Sequence, residues 1–340
     1  MRNYQAIEAI NGFGKYQILI LILTCFQWAA NGTIQYFYVL QFQEPLFICE
    51  GGVECTPSTG GCDATSVLKE GQEGLLSVKY ETYCDREIYK SILYTAYIGC
   101  GLIGVIVIGP ISDCFGRRYT LIASFALSLM SLGLLFTGNY AFTFAGFAFS
   151  GLFTFGYFNQ SIIALVEWGN IKFRNYTSLF ALGSSCVSGF IISASFPLIS
   201  SWRLQLILFM FIPLLLLIFP SFYLLETPKY FYARGKMEDC KQVINKVAGI
   251  NGRPEITLEI KEKKKKKNHY TYLDLFKERQ MRRDTLANTF IWFSAEIVYY
   301  GMFLLIPDLP GSSSFNTFLA SLVGIIAYFF LSCTPLLLTS

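Results

Sequence analysis

The chain has 340 residues, of which 53% are hydrophobic and only 15% are charged, and its formal net charge is +4. Soluble domains carry roughly a quarter charged residues, so the composition excludes an ordinary soluble protein. With one histidine in the chain, a repeated metal-binding motif is excluded and a Ser-His-Asp catalytic arrangement is not indicated.

Eight apolar stretches are long enough to cross a bilayer, which takes about 20 residues per helix. They lie at 16–40, 91–111, 119–137, 142–166, 177–199, 204–224, 285–306 and 315–337. An open segment in lipid can satisfy its backbone only as a helix. The sequence therefore predicts an all-α polytopic membrane protein with eight spans. Residues 1–15 form a lead-in to a retained first span, because the apolar run that follows is too long for a signal peptide.

The distribution of Lys and Arg predicts the orientation. The loop 41–89 has nine acidic and three basic residues, whereas the segment 226–284 has 16 Lys and Arg against nine acidic residues. Arg117, Arg118 and Arg174 fall in short connections on the same side as that basic segment. Because positive charge stays in the cytoplasm, we expect a cytoplasmic N-terminus and an external loop 41–89.

The external loop holds four of the ten cysteines: Cys49, Cys55, Cys62 and Cys84. Cysteines in a short polar loop that faces an oxidising space indicate disulfides. Four cysteines form two bridges, and three pairings are open. We expect a small stapled cap here, which favours the plasma membrane.

The basic segment 226–284 has helical spacing of apolar residues over Met237–Ala248, which predicts a surface helix. The run Lys261–Lys267 is either a solvated stretch or a contact with anionic inner-leaflet lipid, worth about 1 kcal/mol per basic residue. His269 adjoins this run and has no ligand spacing around it. No Walker loop or dinucleotide fingerprint is present. The sequence predicts no enzyme activity, cofactor, metal site or nucleic-acid partner.

Between the second and third spans stands GPISDCFGRR, with Gly109, Asp113, Gly116, Arg117 and Arg118. It resembles the signature loop of the major facilitator superfamily, G-x-[LI]-[SA]-D-R-x-G-R-R. The resemblance implies that the glycine allows a tight turn and that the arginines anchor it at the inner face. It also implies that Asp113 faces the positive end of a helix from the other half of the protein and latches one access state.

A narrower resemblance runs along nearly the whole chain. The landmarks are GFGKYQ, ETYCDREIYKS, VEW at Val166, WRLQL at Trp202, ETPKYFYARGK at Glu226, and MRRDTL with IWF and VYYG between Met281 and Gly301. They are similar, in order and spacing, to landmarks of the organic cation/anion transporter group, the solute carrier 22 type. In related transporters an acid at the position of Glu167 joins the motif arginines in an inner-gate charge network.

This resemblance implies twelve spans in two six-helix bundles, with substrate near the midplane and rocking between two openings. We therefore expect a cytoplasmic N-terminus at 1–15, a six-helix bundle at 16–225, a basic cytoplasmic loop at 226–284 and a partial second bundle of two helices at 285–340. Four helices of the pattern, including the expected partner of Asp113, would lie beyond Ser340.

The chain departs from the family pattern inside its spans as well. Cys114 stands in place of a motif arginine, and Phe147 stands where an arginine usually begins span four. The run Gly183–Cys186 replaces larger polar or aromatic groups that often line the pocket in span five.

Glu296 is the charged residue deepest in a predicted span, and such a carboxylate is costly in lipid. It would pair with an organic cation, carry a coupling proton, or stay protonated or bonded to a neighbouring helix. Tyr299 and Tyr300 lie about one turn away; they bind cations on their ring faces or serve in packing and anchoring. The polar residues of the first bundle either line the cavity or bridge helices: Asn31, Gln35, Asn159 and Gln160.

Two functions fit these patterns. The first is transport of small organic ions across the membrane by alternating access. The second is a transporter-derived structural subunit that binds a protein partner in place of the missing helices. A chain cut short from a full transporter is a third explanation. Substrate charge and the coupling ion stay open.

Overall fold

A computed structural model of the chain describes residues 14–63, 65–169, 174–199, 201–255 and 272–338. The helices in chain order are α1 Lys15–Gln41, α2 Leu76–Lys79, α3 Ile88–Phe115, α4 Arg117–Met130, α5 Tyr140–Trp168, α6 Arg174–Ser195, α7 Trp202–Leu206, α8 Ile212–Ser221, α9 Pro228–Ala233, α10 Met237–Ile250, α11 Arg279–Leu305 and α12 Ser313–Leu338. Short 3₁₀ helices lie at Pro57–Thr59, Cys84–Arg86, Ser131–Thr137, Tyr272–Phe276 and Ile306–Asp308, and a π-helix at Ile207–Phe211 joins α7 to α8.

Seven helices of the described part are long and apolar enough to cross a membrane. The apolar helix Trp202–Leu216 is shorter than the other candidates, and it lies where the sequence predicts the sixth span. An all-helical polytopic membrane protein is therefore confirmed, while the count of eight spans stays a prediction. The predicted surface helix is present as α10.

At one end of the helices lies a small cap, residues 42–87. It contains a three-stranded antiparallel sheet of β1 Phe47–Ile48, β2 Glu54–Cys55 and β3 Val67–Leu68, in the order β2-β1-β3. Phe47 is opposite Cys55 on one side and Leu68 on the other. Gln41 fastens the cap to the bundle, because its side-chain oxygen accepts from the Leu76 amide at 3.2 Å and its nitrogen donates to Gln205 at 2.9 Å. We call this end the cap face.

The first bundle is built around α1 and α5. α3 and α4 pack along α5, and α6 packs along α1. Several polar residues inside it are paired: the Trp28 indole donates to Ser161 at 2.7 Å, and Tyr157 donates to Gln27 at 2.6 Å. Since lipid offers no hydrogen bonds, such pairs join helices rather than leave polar atoms unsatisfied.

Opposite the cap face lies the turn between α3 and α4, and we call this end the turn face. A segment of residues 222–252, the strap, crosses it and carries α9 and α10. The strap holds the start of α1, because Asn251 accepts from the Tyr16 amide at 2.9 Å and the Leu225 amide donates to the Tyr16 hydroxyl at 2.8 Å. Gly14 has no room for a Cβ, which would lie 2.4 Å from the Asn251 side chain.

The last two long helices meet the bundle mainly along one seam, where α12 packs on α6. Small residues allow close approach: a Cβ on Gly189 would lie 1.7 Å from the Ser321 hydroxyl, and one on Gly324 would lie 2.7 Å from the Cys186 sulfur. Phe190 and Phe318 meet edge to face at 5.0 Å. Most of α11 is exposed along its length.

Candidate functional site

Gly116 forms the turn between α3 and α4. Its φ is +105°, a conformation that favours glycine. A Cβ at this position would also lie 2.2 Å from a carboxylate oxygen of Glu226. Two independent constraints therefore require glycine here. Gly109, the first glycine of the motif, instead lies within α3 just before Pro110.

Glu226 of the strap caps the first turn of α4 with both of its oxygens. Oε1 accepts from the Arg117 amide at 2.9 Å and Oε2 accepts from the Arg118 amide at 3.2 Å. These amides have no partner within the helix, and the helix dipole favours a negative charge there. Burial raises the pKa of Glu226 above its usual value, and hydrogen bonds from the amides of Thr227, Arg117 and Arg118 offset part of that rise.

The Arg117 side chain joins α3, α4 and α5 at the turn face. Its Nη1 lies 2.7 Å from Asp113, and its Nε lies 3.5 Å from Glu167. The same Nη1 donates to Ser112 at 3.1 Å and to Gln160 at 3.2 Å. The side chains of Arg117 and Glu167 are 15% and 11% exposed, whereas that of Asp113 is 66% exposed. The network thus has a buried pair and one exposed carboxylate.

Three further strap contacts complete this turn-face network. Thr227 donates to Glu167 at 2.7 Å, and Arg118 donates to the Phe222 carbonyl at 2.9 Å. Arg234 donates to the Asp113 and Cys114 carbonyls at 2.8 and 2.6 Å. A cation at the C-terminus of a helix is stabilised by the dipole. The Arg234 guanidinium therefore stands beside Cys114, which replaces the motif arginine.

Sequence reasoning missed the contributions of Glu226 and Arg234. Both lie in ETPKYFYARGK, which the sequence marks as a family landmark without indicating a role for either charge. The available signal was Glu226 itself, a carboxylate that directly follows a long apolar run and so lies near the same membrane boundary as the motif turn.

The predicted polar residues of the first bundle lie in different surroundings. Asn31 is fully buried; its carbonyl oxygen accepts from Ser128 at 2.7 Å and from Thr154 at 3.3 Å, which bridges α1, α4 and α5. Gln160 belongs to the turn-face network, and Asn159 is exposed. Gln35 lies close to the hydroxyls of Tyr97 and Tyr300. A substrate-binding role for these four residues stays a prediction.

Around Tyr299, one turn from Glu296, the structure gathers tyrosines from three helices, which we call the tyrosine cluster. Tyr299 of α11 lies within electrostatic range of Tyr36 of α1, Tyr328 of α12 and Glu296 itself. Tyr300 also lies within electrostatic range of Glu296. Glu296 is exposed on the surface of α11, and it has no ion-pair partner among the described residues.

Two of the departures from the family pattern have a structural explanation. Phe147 is fully buried, stacks on the Tyr38 ring at 3.7 Å and meets Phe42 edge to face. A phenylalanine packed against two other aromatic rings thus occupies the place of the usual arginine. In α6, a Cβ on Gly183 would lie 3.3 Å from the Tyr328 Cβ, so the absence of a side chain lets α12 approach.

The four cap cysteines form two disulfides, Cys49–Cys55 and Cys62–Cys84, one of the three pairings that the sequence leaves open. In the described ranges, no cluster of His, Cys, Asp or Glu could hold a metal ion. Lys261–Lys267 and His269 lie outside the described residues.

Solute carrier family 22 member 6-A of Xenopus laevis is 28% identical over 246 residues, 69% of this chain and 44% of that protein. Organic cation transporter 1 of Caenorhabditis elegans is 28% identical over 280 residues, 75% of this chain and 45% of that protein. A solved structure of the xylose transporter XylE from E. coli, partially occluded and inward open, is similar at a TM-score of 0.47 with 16% identity, covering 69% of this chain and 56% of that one.

The chain thus spans less than half the length of these two curated relatives. Residues 83–339, more than half of the chain, match the sequence profile described as Major Facilitator Superfamily. The chain belongs to the major facilitator superfamily, with relatives in solute carrier family 22.

Proposed function

We propose that the chain transports small organic ions across a membrane by alternating access. The observation that carries this proposal is the tyrosine cluster, where the Glu296 carboxylate, midway along an apolar helix, lies within electrostatic range of Tyr299 and Tyr300 of the same helix and of Tyr328 of α12. A carboxylate at that depth is costly unless a cation, a proton or a polar partner compensates for its charge. Tyrosine rings attract organic cations through their faces. The cluster therefore suits a substrate with a positively charged head group.

The names of the relatives support transport over the partner-binding alternative. One relative is named as a solute carrier and another as an organic cation transporter. A structural subunit would need a surface with a partner of its own, and nothing in the described part of the chain favours that function over transport.

The turn-face network is the proposed gate. Arg117 and Glu167 form its buried pair, and Asp113 offers an exposed carboxylate on the same face. Such a carboxylate can meet the positive end of a helix in one access state and release it in the other. The strap would hold the ends of α3 and α4 together, so that this face moves as one body.

For the topology we propose eight spans, six in the first bundle and two in the partial second bundle. The turn face, the strap and residues 1–15 would be cytoplasmic, and the cap would face outward from the plasma membrane. The excess of Lys and Arg on the turn-face side and the disulfides of the cap support this orientation. Lys261–Lys267 would then lie near anionic lipid of the inner leaflet.

The test is uptake by the purified chain in proteoliposomes, with labelled tetraethylammonium as the cation and labelled benzoate as the anion. We expect uptake of the cation above that of empty liposomes, and a loss of about tenfold or more in Glu296→Gln. Glu278→Gln is the matched control, because Glu278 is an exposed acid just before the same helix. A folded protein that takes up neither ion would overturn the proposal.

A further inference from the structure

The landmark WRLQL, which neither the turn-face network nor the tyrosine cluster uses, brings two cations to one indole ring. Trp202 begins α7 and is 4% exposed. The Lys79 ammonium of the cap lies 4.6 Å from the centroid of its ring, and the Arg203 guanidinium lies 4.7 Å from a centroid of the same side chain. Because aromatic faces attract cations, the indole holds both charges at one place on the cap face.

Neither of these cations has an anionic partner. In the described part of the chain, the side chains of Lys79 and Arg203 form no ion pair and donate no hydrogen bond. Burial and the nearby charge of Arg203 lower the pKa of Lys79, so the closest electrostatic neighbour of this lysine is another cation. Lys79 is half-buried and Arg203 is exposed. Two like charges repel, and an anion that contacts both of them removes this cost.

The cation pair lies at the cap-face end of the helices. Arg203 directly precedes the apolar run 204–224, and the neighbouring Gln205 accepts a hydrogen bond from Gln41, which fastens the cap. A Cβ on Gly138, in the connection that leads into α5, would lie 2.4 Å from the Lys79 ammonium. In a chain that crosses a bilayer, such connections lie at the level of the lipid head groups.

An exposed apolar surface continues from Arg203 toward the middle of the membrane. Leu204, Ile207 and Phe211 lie on successive turns of α7 and the π-helix, and all three are exposed. Leu215 of α8 extends this surface. A molecule that carries a phosphate at one end and an acyl chain at the other therefore matches both parts of the site, whereas a free anion matches only the cations.

We propose that Lys79 and Arg203 bind the phosphate of an anionic phospholipid in the leaflet at the cap face. The ammonium and the guanidinium donate charge-assisted hydrogen bonds to the phosphate oxygens. One acyl chain lies along Leu204, Ile207 and Phe211. The site goes beyond transport, since it uses no residue of the tyrosine cluster or of the turn-face network, and a lipid bound here joins the cap to the start of the sixth predicted span.

The experiment is native mass spectrometry of the full chain in detergent, which counts the lipids bound to each chain and measures their affinity. The lipid is dioleoylphosphatidylglycerol, and dioleoylglycerol is the matched molecule with the same acyl chains and no phosphate. We expect the phospholipid to bind about 30-fold more tightly, the scale of two basic residues at a membrane surface. Equal affinity of the two lipids would remove the proposed role of the cations.

Four variants locate the site. Arg203→Gln and Lys79→Gln each remove one cation, and each should weaken the binding of one phospholipid about fivefold. Arg203→Lys keeps the charge and should bind nearly as tightly as wild type. Arg86→Gln is the matched control, because Arg86 is an exposed cation of the same cap that already pairs with Glu81, and it should leave the affinity unchanged. Unchanged affinity in both Arg203→Gln and Lys79→Gln, with both proteins folded, contradicts the proposal.

Two other sources of binding are distinguished in the same titrations. The lysine run 261–267 is intact in every variant, so a loss of phospholipid in Arg203→Gln belongs to the cap face. Inorganic phosphate at the same concentration should not displace the phospholipid, because it has no acyl chain to contact the exposed apolar surface. Displacement by inorganic phosphate would mean that the cation pair binds a free anion, and the lipid assignment would then be wrong.

Discussion

The turn face and the α11–α12 pair are held to the same bundle by different means. At the turn face, side chains of the strap reach the ends of α1, α3, α4 and α5 through ion pairs, caps and hydrogen bonds. The α11–α12 pair relies on the seam between α6 and α12 and on scattered aromatic contacts such as Tyr36 with Phe303 at 5.0 Å. In the most apolar stretch of each helix, 67% of the α1 residues are buried, against 11% of those in α11 and in α12.

The difference follows from where each region lies. Charged groups are stable at helix ends, where water and backbone dipoles solvate them, so strong polar contacts are concentrated at the turn face. Along the spans the helices meet through close packing of small residues, aromatic rings and isolated polar pairs. A region held this way separates at a lower free-energy cost than one held by buried ion pairs and helix caps.

The largest expected effect comes from Arg117→Met. This change leaves Glu167 with its side chain 11% exposed and without its cation, and breaking a buried pair costs about 3–5 kcal/mol. We expect a marked fall in the thermal unfolding temperature of the purified chain in detergent.

Lys241→Met is the control for that substitution. Lys241 and Glu238 form an ion pair whose side chains are 40% and 75% exposed, and exposed pairs contribute about 0–1 kcal/mol. If the two variants melted together, the buried Arg117–Glu167 pair would contribute no more to stability than an exposed surface pair.

Gly116→Ala should be the next most harmful change. Alanine at φ +105° is strained, and its Cβ would displace the Glu226 carboxylate from the first turn of α4. Strain of this kind costs about 1–3 kcal/mol. Gly249→Ala makes the same chemical change in α10, where a Cβ meets nothing within 4 Å, and it should be neutral or stabilising by up to about 1 kcal/mol. Thermal melting of both proteins in one detergent compares them directly.

Much of the helical frame could be predicted from the sequence, because apolar runs of this length have few alternatives in lipid. The predicted ends fall short of the observed ones where polar residues continue the helix. α11 begins at Arg279 rather than at 285, because the residues Arg282, Arg283 and Asp284 are helical yet lower the hydropathy. Hydropathy locates the part of the helix in lipid, and the polar first turns lie beyond it.

The site could be predicted only in part. The charges of the motif turn are close in sequence, so their proximity followed from the motif. Glu226 lies 109 positions from Arg117, and no local pattern indicates such a contact. For Gln160 the sequence leaves cavity lining and helix bridging open, and in the structure its side-chain oxygen accepts a hydrogen bond from Arg117. Neighbouring residues on a helix differ in direction by about 100°. Because these spans are apolar on all sides, the sequence does not show which of their residues point inward.

Gly189→Ala tests the weaker attachment. Its Cβ would collide with the Ser321 hydroxyl and approach the Tyr36 ring at 3.0 Å. Rotation of the serine relieves the hydroxyl clash but not the 2.9 Å approach to its Cβ, so the helices must shift and we expect a cost of about 1–2 kcal/mol, seen as earlier melting. Adding Ser321→Gly should restore much of the loss. Gly301→Ala in α11, where a Cβ meets nothing within 4 Å, should not destabilise the protein. A double variant that melts no later than Gly189→Ala alone would contradict close packing at this seam.

The smallest expected effect is a pH dependence at Glu226. Its folded pKa is raised by burial above the usual 4.5, despite hydrogen bonds from three amides. A carboxyl group whose pKa is higher in the folded state binds its proton more tightly there, so its contribution to folding is greatest below the unfolded pKa and decreases as pH rises through the folded pKa. Glu226→Gln has nearly the same shape and does not titrate. As pH rises from about 4 to neutral, the melting temperature of wild type should therefore fall relative to that of Glu226→Gln. A difference that stays constant, or that shifts toward wild type, would mean that the amide hydrogen bonds outweigh burial at the cap of α4.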